Sequence, residues 1–296
     1  MTAAIRSDSS GTYGALQVGG ADSFRFGSDT SGQLASFRNI LINAGLRINQ
    51  RGYVSAAVLA AGSYGHDRFK AGASGGDYSF TQLNSNTTIT IAASKSLIQV
   101  VEDKNVVGGS YVLSWTGTAQ ARVGLNSATP SGSYAASPIL ITGQTAGTTM
   151  SVEFNTGTLA KAQLESGSIA TTFEQRPIGT ELALCQRYLP AFNSSGTSSF
   201  IGNGYCITTT SGVVSYVFKT TARVAPTGLT TTAASNFEVM AGASGGITAT
   251  ALSFAYASTE GAVINTTVAS GQTTNSGAIL RALNSSAQLL FTGCEL

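Results

Sequence analysis

Apolar and polar positions alternate with a period of two along most of the chain. The pattern is clear at residues 87–92, 96–101, 110–115, 120–125, 138–142 and 149–154, where each short run has one apolar face. Polar or glycine-rich stretches separate the runs, such as 72–76, 129–132 and 155–157. Upstream, an apolar run at 39–45 and an alternating run at 46–53 predict two further strands that open this block. Gln163–Phe173 reads as its closing strand, followed by a stiff corner at Arg176-Pro177-Ile178. A second block carries strand patterns at 199–208, 212–219, 236–240, 247–257, 262–268, 279–283 and 287–296.

One passage has a different period. Leu182, Cys185 and Leu189 share one helical stripe, and Leu184 and Tyr188 share another. Thr180 stands where an N-cap is expected, Glu181 suits the first turn, and Pro190 ends the run. Near the N-terminus, apolar positions on both sides of Gly19-Gly20 predict a small hairpin over 15–26, too short to bury its apolar face alone. The expected organisation is therefore mainly β. Residues 1–38 form an attachment or oligomerisation segment, 39–178 a jelly-roll β-sandwich, 179–190 a linking helix, and 191–296 a second β-sandwich.

Composition narrows the function classes. The chain has 296 residues, of which 42% are hydrophobic and only 10% charged, with a net charge of +2. The charged share is well under the roughly 25% usual for globular proteins. Hydroxyl and small side chains fill the difference, as in β-rich fibrous and virion proteins. No basic stripe exists for nucleic acid, and no apolar run is long enough to cross a membrane. Residues 1–6 lack the apolar core of a signal peptide, so assembly in a cytoplasm is expected. Cys185, Cys206 and Cys294 are widely spaced and read as buried thiols. With a single histidine, no metal site or cofactor is expected.

No catalytic residues emerge. His66 is the one imidazole a triad could use, and no nucleophile elbow or phosphate loop accompanies it. Glu102 and Asp103 are adjacent, so they point to opposite sides of a strand and make no general acid/base pair. Two readings stand for the segment around His66. In one, Asp67 pairs with Arg68 at a sheet edge and Phe69 enters the core. In the other, Tyr53, Tyr64, His66 and Tyr78 form an aromatic platform for a sugar. Trp115 likewise reads either as sandwich core or as a surface that stacks on a sugar ring.

Three ordered segments carry a resemblance. They are Asn39-Ile-Leu-Ile-Asn-Ala-Gly-Leu-Arg-Ile-Asn-Gln-Arg-Gly52 with Tyr64-Gly-His-Asp-Arg-Phe-Lys70, then Ser110-Tyr-Val-Leu-Ser-Trp-Thr-Gly117, then Gln163-Leu-Glu through Cys185-Gln-Arg-Tyr188. Together they resemble bacteriophage tail fibre and related virion proteins, whose middle domain is similar to jelly-roll carbohydrate-binding modules. Phe69 stands where relatives often carry Trp, and residues 191–296 match only in style.

The resemblance implies a structural homotrimer in the virion. Residues 1–38 would attach it to other tail or head proteins, and the β domains would recognise host surface polysaccharide. It also makes Leu182, Cys185 and Leu189 candidates for the trimer interface. The alternatives are a purely structural head-fibre, decoration or tail-assembly protein, and a polysaccharide-degrading tailspike.

Overall fold

The computed structural model describes residues 37–83, 85–241 and 245–296, together with the backbone of three strands nearer the N-terminus. Those three are β1 (Ala3–Ser7), β2 (Tyr13–Val18) and β3 (Ala21–Gly27), and they pair antiparallel in chain order. The expected hairpin is β2–β3, with Leu16 opposite Phe24. Strand β1 was not foreseen. The Gly19-Gly20 turn and the rest of the expected attachment segment up to residue 36 lie outside the described residues.

The chain is mainly β, as the alternation predicts. Strands β4 (Lys70–Ala71), β5 (Tyr78–Phe80), β6 (Ile89–Ile91), β7 (Leu97–Val101), β8 (Gly109–Thr116), β9 (Ala121–Gly124), β10 (Ile139–Gln144), β11 (Met150–Phe154) and β12 (Gly157–Ser166) form two antiparallel sheets. One has the order β10-β8-β12-β6-β5 and the other β4-β7-β11-β9. From β6 onward, successive strands cross from one sheet to the other. Between β9 and β10 the chain touches the second sheet again through a bridge of Ala135 to Ala121. This crossing order is that of a jelly roll, with one strand reduced to a single bridge.

The two inner faces meet in one apolar core that includes Leu41, Phe69, Tyr78, Tyr111, Trp115, Phe154 and Leu164. The period-two runs work because each inward position removes apolar area from water, at about 25 cal/mol per Å².

Three expectations need correction. Residues 39–53 form no strand, although Leu41, Ala44, Leu46 and Ile48 are buried. Asn43 explains this. Its backbone has φ 58°, its Oδ1 accepts from the N–H groups of Arg47 and Ile48 at 2.9 Å each, and its Nδ2 donates to the carbonyls of Ile48 (2.7 Å) and Asp67 (3.0 Å). One buried amide thus replaces a sheet ladder. Second, the closing strand is β12, which ends at Ser166, so residues 167–173 turn away from it. Third, the helix α1 runs Ile178–Gln186 and begins directly after Pro177, with no side-chain cap. Thr180 is therefore inside the helix and not at its cap.

The C-terminal block takes the form of a closed barrel instead of an open sandwich. Strands β14 (Phe200–Cys206), β15 (Ser211–Val217), β17 (Phe237–Ala241), β18 (Gly246–Ala257), β19 (Gly261–Val268) and β20 (Gly277–Ala282) close in the order β14-β15-β19-β18-β17-β20. Closure removes the unpaired edges that a sandwich would leave. Gly202 and Gly204 let β14 lie tight against β15. A Cβ at Gly204 would sit 1.8 Å from the carbonyl oxygen of Val213.

Three further strands, β13 (Ala191–Asn193), β16 (Gly228–Thr231) and β21 (Gln288–Thr292), form a small sheet. Phe291 of β21 joins it to the barrel, stacked on Tyr216 with ring centroids 5.2 Å apart.

Helix α1 and the segment 293–296 fasten the barrel to the jelly roll. Cys185 and Tyr188 pack on Ile42 and Ile48 of the irregular segment. Around this contact the scarce charges are buried. The Glu102 carboxylate accepts from Arg187 Nη2 (2.8 Å), Arg187 Nε (3.1 Å) and the Tyr188 hydroxyl (2.7 Å). The Arg68 guanidinium lies 3.6 Å from the Tyr188 ring centroid, pairs with Glu295 at 3.1 Å and donates to the Val100 carbonyl at 2.6 Å. Glu295 also pairs with Arg51 at 2.6 Å.

Candidate functional site

The expected sugar platform does not present itself. His66 and Tyr78 are buried at 0% and 1% exposure. The Tyr78 hydroxyl accepts from the His66 backbone N–H at 2.7 Å and faces Nδ1 at the same distance, while Nε2 faces Gln82 Oε1 at 3.0 Å. That network places the ring proton on Nε2. Burial pushes the His66 pKa below its ordinary value, opposed by the hydrogen bond to Gln82.

Tyr53 is half-buried and rests on Tyr78, with centroids 4.6 Å apart. Three of the four residues are thus together, but as an internal cluster completed by Phe80. Tyr64 faces elsewhere: its hydroxyl donates to the Leu296 carbonyl and Arg51 lies 5.0 Å over its ring. Trp115 is core, edge-on to Phe154, with its Nε1 donating to the Ala119 carbonyl at 2.8 Å. The expected Asp67–Arg68 pair is absent too. Asp67 accepts from Gln50 (2.6 and 2.9 Å) and Arg68 turns to Glu295, while Phe69 does enter the core.

Two of the interface candidates are also spoken for. Cys185 and Leu189 are buried inside this chain, and Leu182 is half-buried against the same small cluster. Cys185 and Leu189 are thus committed to packing inside this chain, while Leu182 keeps part of its surface open. Burial raises the Cys185 thiol well above its ordinary range, which keeps it inert.

A cleft of about 550 Å³ lies at the edge of the jelly roll, between residues 37–42, the end of β12, the 105–107 loop and helix α1. Phe37 stands at its rim with 59% of its surface exposed and a backbone φ of 65°. The backbone N–H of Phe37 and of Asn39 are both held by the Glu174 carboxylate, the second at 2.8 Å. Arg176 lies 5.7 Å from the Phe37 ring centroid. Arg38 donates to the Thr172 carbonyl at 2.9 Å. Ile169 and Val107 add exposed apolar wall, and Asn105 and Thr171 add polar groups.

The carboxylates here are already engaged. Glu165 accepts from the Thr171 N–H (2.8 Å), the Thr171 hydroxyl (2.7 Å) and Gln163 (2.8 Å). Glu181 accepts from the Asn43 N–H and pairs with Arg176 at 3.3 Å. Each arginine thus has an acidic neighbour, because Arg38 also lies 3.5 Å from Glu165. The cleft is nearly neutral, and it combines an exposed ring, guanidinium groups, an amide and a hydroxyl. That mixture suits a ligand with apolar faces and a hydroxylated rim. Among the described residues no group of three or more His, Cys, Asp or Glu side chains could hold a metal ion.

Compared with known proteins, the chain matches no family model and no curated relative.

The sequence reading missed Phe37, Arg38 and Asn39, which fall at the seam between two expected domains. One signal was available. Residues 163–187 hold an unusual share of the scarce charges, and several of those side chains turn out to build the cleft and its supports.

Proposed function

We propose that this chain is a non-enzymatic structural protein of a bacteriophage fibre, homotrimeric, that recognises host surface glycan through its jelly roll. The single observation that carries the glycan part is the neutral cleft with Phe37 exposed at its rim and its carboxylates engaged in hydrogen bonds. A pyranose has one apolar face and a hydroxylated edge, which fits a ring beside fixed donors. Residues 1–38 are the attachment segment to other tail or head proteins in the virion. Three copies on one stalk raise avidity without a tight single site.

The test is adsorption of the purified chain to host surface polysaccharide, followed by an assay of the eluate for new reducing ends. Adsorption without cleavage is expected. New reducing ends would establish the tailspike alternative, and no adsorption would favour the purely structural one. The second alternative has an observation in its favour: His66, Tyr78 and Trp115, aromatic groups suited to sugars, are all committed to the core.

A further inference from the structure

The barrel wall formed by β14, β15, β19 and β18 contains no charged residue in any of its four strands. Register places its outward side chains in rows. Tyr205 lies opposite Val213, which lies opposite Asn265 and then Ser253. In the next row Asn203, Ser215, Val263 and Tyr256 follow one another. Val217, opposite Gly261, extends the patch.

This surface is bare in the single chain: Tyr205, Tyr256 and Val217 are 52%, 67% and 76% exposed. A shallow groove of about 390 Å³ runs between Val217, Tyr256 and Val263, with the exposed Glu260 at its hairpin end. The aromatic and aliphatic area left open is on the order of 400 Å², near the largest patch a monomer usually leaves exposed. The opposite wall differs, since β17 and β20 carry the Glu238–Arg281 ion pair.

We infer that this wall, uncharged in its four strands, faces the axis of the homotrimer and packs there against the same wall of the other copies of the chain. Three features select that occupant. The barrel is closed, so none of its own strand edges is free and the barrel can associate only through a face. Strands without charge meet the same strands of another copy without like-charge repulsion, while Glu260 is confined to the hairpin end of the groove with Ser258 and Thr259 on its carboxylate. The apolar centre is rimmed by Asn203, Ser253, Asn265 and Thr267, so hydroxyl and amide groups extend it toward the roughly 800 Å² per partner of a stable interface. The inference specifies the oligomeric part of the fibre reading and rests on that part, but it does not need the cleft to bind glycan.

The chain's own thiols make a direct test possible. Cys185, Cys206 and Cys294 are fully buried, so an introduced surface cysteine can be labelled selectively. Val217→Cys and Tyr256→Cys would be reacted with a maleimide in the native full-length protein. Val58→Cys, 84% exposed on the jelly roll, serves as control. Sedimentation velocity would give the mass of each variant, and a guanidinium-unfolded sample the unprotected rate.

The wall positions should label about tenfold more slowly than Val58→Cys, as expected when a standard interface excludes water from its centre, and only in the native protein. Equal rates in an oligomer would overturn the wall as the interface and leave the fibre reading standing. Equal rates in a monomer would overturn both.

Discussion

The jelly roll and the barrel use charge in opposite ways. The jelly roll places Glu102, Asp67, Arg68, Glu153 and Glu165 in its interior or at its joint with the helix, each with a partner. The barrel keeps four of its six strands free of charge altogether. In this chain, then, charge does little to hold protein in solution. It fixes the joint and shapes the cleft, while hydroxyl and small apolar groups cover the rest. Buried ion pairs seldom add net stability over well-packed apolar groups, but they penalise any wrong arrangement. Their concentration around helix α1 gives one defined angle between the two units.

Breaking the joint should have the largest effect. Arg68→Ala removes one of the two arginine partners of Glu295, a donor to Val100 and the cation over Tyr188. A loss of about 1–3 kcal/mol is expected, because the buried Val100 carbonyl loses its donor and Glu295 keeps only Arg51. Urea unfolding followed by fluorescence should also split into two transitions as the barrel uncouples from the jelly roll. A single transition with an unchanged midpoint would show that the joint carries no load.

The pH response separates the regions next. The folded His66 has its pKa held below 6.5, so the unfolded chain takes up the proton first. Stability is complete above about pH 6.5 and falls as pH drops from there toward the folded value, by at most about 1.4 kcal/mol per pH unit for one proton. Asp67 acts in the opposite sense, because burial raises its carboxyl above the usual range against the pull of Arg51 and Gln50. His66→Gln should therefore flatten the slope of the urea midpoint between pH 7.5 and 5.5, since His66 is the sole histidine. An unchanged slope would mean the ring is solvated in solution.

The smallest effect belongs to the exposed carboxylate of the barrel hairpin. The Glu260 carboxylate accepts from Ser258 and Thr259 of its own turn, so Glu260→Gln should leave the unfolding midpoint where it is. A marked shift would show that barrel charges also have structural partners.

Much of this fold is legible in the residues, for a physical reason. All six strands read from period-two runs between 87 and 154 are present, because core-facing apolar positions alternate with others; even β11, buried throughout, alternates Met150, Val152 and Phe154 with Ser151 and Glu153. Residues 39–53 misled because burial alone does not make a strand; Asn43 and a left-handed turn serve the backbone instead. Barrel closure was not legible, since alternation gives strands and faces but not which edges meet. The cleft was missed because its parts come from residues 37–42, 105–107 and 165–184, which only the folded sheets bring together. For Tyr53, His66 and Tyr78 their proximity was foreseen; that the cluster points inward was not.

Titration calorimetry of the full chain decides whether the cleft binds a neutral saccharide. A panel of neutral and acidic oligosaccharides would be compared on the unsubstituted protein, on Phe37→Ala and, as a control away from the cleft, on Tyr64→Phe. A neutral member should bind, Phe37→Ala should weaken it about tenfold through loss of ring contact, and Tyr64→Phe should leave it unchanged. Binding to no member, or binding indifferent to Phe37→Ala, would contradict the glycan reading.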